Sequence, residues 1–118
     1  MKRFLAIYIG TQEAREKSNW DSLDDQQRKA IADMGIKAWT QWGQTHAAAI
    51  VDMGTPLGKT KRASREGIAD TRNSMTGYVI VQAESHEAAA KLFEKHPHFM
   101  IFPGDSVEIM ECLPLPGQ

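Results

Sequence analysis

Gly77-Tyr-Val-Ile-Val-Gln-Ala83 is the stretch on which the fold turns. Val79, Ile80 and Val81 are consecutive β-branched residues, so both alternating faces are apolar at the centre of a run too short for a helix. Gly77 and the polar Glu84-Ser85 bound it, as expected for a strand covered on both sides. Phe4-Leu-Ala-Ile-Tyr-Ile9 repeats the pattern, with Phe4, Ala6 and Tyr8 on one face and Leu5, Ile7 and Ile9 on the other. Two such strands in one short chain imply a sheet, and the segments between them decide its topology.

From Leu23 to Met53 the apolar residues Ile31, Ala38, Trp39, Trp42, Ala49, Ile50 and Met53 recur at helical spacing, and Gly54 is a natural stop. Ser22-Leu-Asp-Asp25 supplies the N-terminal signal, and Gly35 and Gly43 suggest a bend. Thr55-Pro-Leu-Gly-Lys-Thr-Lys-Arg-Ala-Ser64 alternates and carries Lys59, Lys61 and Arg62, as an edge strand does to discourage pairing with other chains. Arg65 to Ser74 reads as a loop. A second helix follows from Ser85 as N-cap, with Lys95 and His96 at its end and Pro97 terminating it. Val107 to Leu113 is the last strand. The expected elements are strands near 3–9, 56–64, 76–84 and 106–113 and helices near 23–53 and 86–96. The order β-α-β-β-α-β is that of a ferredoxin-like α+β fold, with two helices on one face of a four-stranded antiparallel sheet. The other face then needs a cover, and a second copy of the chain is the simplest one.

Bulk properties limit the function classes. A chain of 118 residues is the size of one domain, so residues 1–118 are expected to share one core. Fourteen Lys and Arg against fifteen Asp and Glu give a net charge of -1, which favours neither nucleic acid nor acidic membrane as partner. A single cysteine, Cys112, forms no intrachain disulfide, and the apolar run after Lys2-Arg3 is too short for a signal peptide or span; a cytoplasmic protein is expected. Cys112 itself is expected to be a small buried residue of the last strand.

The string His46-Ala-Ala-Ala-Ile-Val-Asp-Met-Gly54 with Pro56-Leu57, together with Tyr78-Val-Ile-Val81, Ser85-His-Glu-Ala-Ala89, His96-Pro97 and Val107-Glu-Ile109, resembles the YCII-related family in its DGPF-like branch. The resemblance covers Phe4 to Pro114. It implies a homodimeric α/β barrel with a cleft near the long helix, and a histidine on that helix acting with an aspartate as an acid/base dyad. His46 matches the histidine by position; no aspartate follows Pro56-Leu57 at the expected place, and the tetrapeptide for which the branch is named is absent.

His46 also stands out from the residues alone, because on a helix it falls about 40° from Trp42 within the apolar stripe. It is either a proton-transfer group at a pocket or a core histidine with both nitrogens satisfied. Asp70 and Asp105 are its candidate partners, and Asp52 points away. Trp39 and Trp42 either wall an aromatic pocket or belong to the core. Lys59, Lys61, Arg62 and Arg72 either hold an anionic ligand or form a solvated edge. His96-Pro97-His98 has a spacing seen at metals but lacks a third ligand nearby, so no metal and no cofactor are expected. Two functions fit: a cofactor-free acid/base lyase or isomerase of a small aromatic or enolisable metabolite, or a non-catalytic dimeric module that binds a small ligand or a protein.

Overall fold

The computed structural model describes residues 1–117. Its elements are β1 (Lys2–Ile9), α1 (Gln12–Lys17), a 3-10 turn at Trp20–Ser22, α2 (Asp25–Thr45), a 3-10 turn at Ala47–Ala49, β2 (Ile50–Asp52), β3 (Thr60–Ser64), β4 (Gly67–Thr71), β5 (Met75–Ala83), α3 (His86–Lys91), α4 (Pro97–Met100) and β6 (Ser106–Glu111). The two strands read from apolar runs are β1 and β5, and they pair antiparallel at the centre of a sheet ordered β2-β5-β1-β6. With β3 and β4 set aside as a separate two-stranded hairpin, this is the ferredoxin-like α+β arrangement.

Phe4, Ala6 and Tyr8 of β1 and Val79, Val81 and Ala83 of β5 are buried on one face, where Trp42 of α2, Ala89 of α3 and Phe93 pack on them. Each large side chain removed from water there contributes about 1.5–3 kcal/mol, so this layer dominates the stability. Leu5, Ile7, Tyr78, Ile80 and Met110 alternate onto the opposite face. The molecule is correspondingly thin, 54 × 44 × 19 Å.

Six sequence expectations are corrected. The long helix ends at Thr45, not near residue 53, because His46 closes it and Ala47–Ala49 turn the chain into β2. Ile50 and Met53 keep helical spacing by coincidence: Ile50 packs on the core from an edge strand paired with β5. The edge strand expected at 56–64 is replaced by Ile50–Asp52; only Thr55 to Leu57 still run beside β5, through backbone hydrogen bonds to Tyr78 and Thr76. The expected loop at 65–74 instead supplies β4, which pairs with β3 through a turn at Arg65-Glu66. The second helix stops at Lys91, and Pro97 does not terminate it but begins α4, at the first helical position where its missing N–H costs nothing. No bend is needed at Gly35, which lies within the continuous α2 and faces the Phe102 ring so closely that any side chain would meet it. Cys112, just past β6, is exposed.

Candidate functional site

A cavity of about 470 Å³ lies at the edge of the sheet between α2 and the segment Met53–Pro56. Tyr8, Trp39, His98 and Phe102 give it aromatic walls, and Ile36, Met53 and Pro56 add apolar surface. Lys, Arg, Asp and Glu are missing from its lining, so its polar character rests on Tyr8, His98 and the threonines Thr40, Thr55 and Thr76. Two of those threonines are occupied: Thr40 donates to the Ile36 carbonyl at 2.9 Å and Thr76 to the Tyr8 carbonyl at 2.9 Å.

Local structure explains how these groups converge. Tyr8 lies at the end of β1, beside a register shift between Tyr8 and Ile9, and its cross-strand partner is Gly77. A side chain at Gly77 would come within 3.4 Å of the Tyr8 ring, so glycine there leaves the ring open to the cavity. His98 enters from α4. His96 caps that helix, its Nδ1 accepting from the His98 backbone N–H at 3.0 Å, and Lys95 before it holds a left-handed backbone, φ 56°. His98 Nε2 donates to the Ile9 carbonyl at 2.7 Å. The Tyr8 hydroxyl lies 3.4 Å from His96 Nε2, and the Tyr8 and His98 rings are 5.3 Å apart. Trp39 packs against both histidines and Tyr8, its ring 4.5 Å from His96 and 4.8 Å from Tyr8.

Burial sets the protonation states. His96 is fully buried and is pushed down to about 3 by desolvation, with His98 and then His46 adding repulsion. His98 is lowered by burial as well, opposed by the Ile9 carbonyl and the charge of Asp105. The Tyr8 phenol is raised above its ordinary value by burial. At neutral pH the cluster is therefore two neutral imidazoles and a protonated phenol, capable of accepting and donating protons without a formal charge.

Of the residues singled out in the sequence, Trp39 lines this cavity and His46 does not. His46 is the C-cap of α2, half-buried, its ring 5.4 Å from Trp42. No carboxylate bonds it among the described residues. Trp42 belongs to the core, and its indole donates to the Leu92 carbonyl at 2.8 Å. Asp70 sits on the hairpin, paired with Lys61 at 2.7 Å, and Arg72 is exposed just after β4, so neither reaches the cavity. Asp105 is exposed and lies near His98, with its backbone N–H bonded to the Ile9 carbonyl, rather than beside His46. In the sequence Tyr8 reads as a strand residue, and His96-Pro97-His98 reads as a helix end or as a metal spacing without a third ligand. The signal for a helix start there is His96-Pro97, a capping residue before a proline.

No protein-family profile and no curated protein matches the chain. Among solved structures it is similar to the 5-chloro-2-hydroxyhydroquinone dehydrochlorinase of Burkholderia phenoliruptrix AC1100, solved in complex with 2,5-dihydroxybenzoquinone, at a TM-score of 0.51 and 15% identity over 92% of this chain and 90% of that one. The likeness shows a shared fold.

Proposed function

We propose that the chain is a divergent member of the YCII-related family, and that its cavity holds a small, flat, uncharged hydroxyaromatic or enolisable compound on which Tyr8 and His98 perform cofactor-free acid/base chemistry. The observation that carries this reading is a pair of neutral titratable groups in an otherwise apolar, aromatic-walled cavity. The shared fold with an enzyme acting on a hydroxyhydroquinone supports it. In this scheme His98 Nδ1 takes a proton from the carbon next to a carbonyl, and the electron pair moves onto the carbonyl oxygen, which the Tyr8 hydroxyl holds by a hydrogen bond. Return of the proton to a different carbon completes an isomerisation; departure of a group from the neighbouring carbon completes an elimination. The proton-transfer role expected of His46 passes to His98.

The second reading, a binding module without turnover, has its own support. Among the described residues, neither His96 nor His98 is hydrogen-bonded to a carboxylate, the partner that commonly raises a catalytic imidazole's basicity. Isomerisation of 3-cyclohexenone to its conjugated isomer, followed by ultraviolet absorbance, separates the two. Turnover that falls at least about 100-fold in His98→Gln, which keeps a donor toward Ile9 but loses the base, supports the enzyme. Single-ring phenols that quench Trp39 fluorescence without any turnover support the module. Binding that is unaffected by Ile36→Trp at the rim would remove the cavity from both readings.

We also propose that the chain is a homodimer joined through the helix-free sheet face. Leu5, Ile7, Tyr78, Ile80 and Met110 lie on that face, with Glu108 opposite Ile7, and a face related to itself by a two-fold axis would cover it.

A further inference from the structure

The hydrogen bonds behind the cavity leave each of its two titratable groups, Tyr8 and His98, only one way to face a ligand. The His98 backbone N–H can only donate, so His96 Nδ1, 3.0 Å away, accepts. A neutral imidazole that accepts at Nδ1 carries its hydrogen on Nε2, and that hydrogen is directed at the Tyr8 oxygen 3.4 Å away. Tyr8 thus accepts from behind, and its own O–H is left for the cavity that its ring lines. His98 is set in the same way. The Ile9 carbonyl can only accept, so His98 Nε2 bears the hydrogen and Nδ1 is a bare lone pair. No buried side-chain nitrogen or oxygen lacks a partner among the described residues. His98 Nδ1 has no protein partner, so it is not sealed within the protein, and His98 is among the residues that line the cavity.

We infer that His96 and the Ile9 carbonyl lock the cavity into one hydrogen-bond polarity, a donor at Tyr8 and an acceptor at His98, and that the cavity selects uncharged ring compounds bearing both a carbonyl and a hydroxyl. The carbonyl takes the Tyr8 hydrogen and the hydroxyl gives its hydrogen to His98 Nδ1. The absence of any cationic side chain in the lining excludes the carboxylate that an aromatic acid would bring. In this scheme His96 is a positioning residue: it touches Tyr8 and not the ligand.

The ligand class rests on the cavity reading above, whereas the tautomers can be read without any ligand. Long-range proton–nitrogen NMR on the uniformly nitrogen-15-labelled chain at pH 7.5 should show both His96 and His98 as the neutral Nε2–H form. An Nδ1–H form at either residue overturns the locked polarity. Maltol, a planar hydroxy-carbonyl ring, is the binding probe, and its O-methyl ether, which keeps the carbonyl and loses the donor, is the control. Maltol should bind at least about tenfold more tightly than the ether, since the ether leaves His98 Nδ1 without a partner, and Tyr8→Phe should weaken maltol by about tenfold with both tautomers unchanged. Equal binding of maltol and its ether, or no binding of maltol, overturns the ligand class. If phenols still bind in a manner blocked by Ile36→Trp, that failure belongs to the polarity and leaves the cavity reading intact.

Discussion

His96 is buried without a counter-charge, and its neutrality ties stability to pH. Its proton affinity is about 3 in the folded chain against 6.5 for an ordinary histidine, so the unfolded chain takes up the proton first as pH falls. Its contribution is complete above about 6.5, declines below that, and is fully lost once pH has dropped through about 3; by pH 5 the loss amounts to about 2 kcal/mol. His98 moves in the same direction. Urea unfolding at pH 7.5 and pH 5.0 should show that loss in the native chain and a smaller one in His96→Gln, which has nothing to protonate. Equal losses in the two proteins would refute the assignment. At the same scale, Trp42→Phe removes the donor to the Leu92 carbonyl and leaves a small void, with an expected cost of about 2–3 kcal/mol in the same assay.

Two glycines of α2 look alike in the sequence and differ in the folded chain. At Gly35 a new side chain would collide with the Phe102 ring, whereas at Gly43 it would meet only the flexible end of Met53, at 3.4 Å. Alanine is favoured over glycine in a helix interior by about 1 kcal/mol, so Gly43→Ala should stabilise the protein by up to that amount. Gly35→Ala should lower stability by about 1–2 kcal/mol net, because overpacking outweighs the helical gain. Phe102 also walls the cavity, and Gly35→Ala should weaken ligand binding there where Gly43→Ala does not. Thermal unfolding and fluorescence titration of the two variants check both halves.

At the level of the whole molecule the chain is more extended than its length requires. Its radius of gyration is 16.3 Å, against about 13–14 Å for a compact domain of this size. The β3–β4 hairpin contributes to this: Lys61 to Asp70 are exposed throughout, Ile68 at 77%. Isolated two-stranded hairpins are marginal in water, so the arm and the bare sheet face both lack cover within one chain. Light scattering at micromolar concentration should return the mass of two chains. Met110→Lys, on the same face and exposed within one chain, should return the mass of one while keeping the ultraviolet circular dichroism of the fold. A native monomer would leave the apolar face without its proposed partner.

The sequence alone determined the sheet, because β1 and β5 are written as apolar runs whose period and length admit little else, and it determined that a helix precedes each returning strand. It also placed Trp39 among the pocket candidates. What it left to tertiary structure was where a continuous apolar spacing changes meaning: Ile50 and Met53 fit a helix locally, and only pairing with β5 makes Ile50 a strand residue. The site followed the same rule. His46 carried the stronger local signal, yet the structure brings together Tyr8, His96 and His98, with Tyr8 lying 88 and 90 positions from the two histidines in the chain. Their protonation and hydrogen-bond direction come from burial and from the Ile9 carbonyl, and these exist only once β1 and α4 have been brought together.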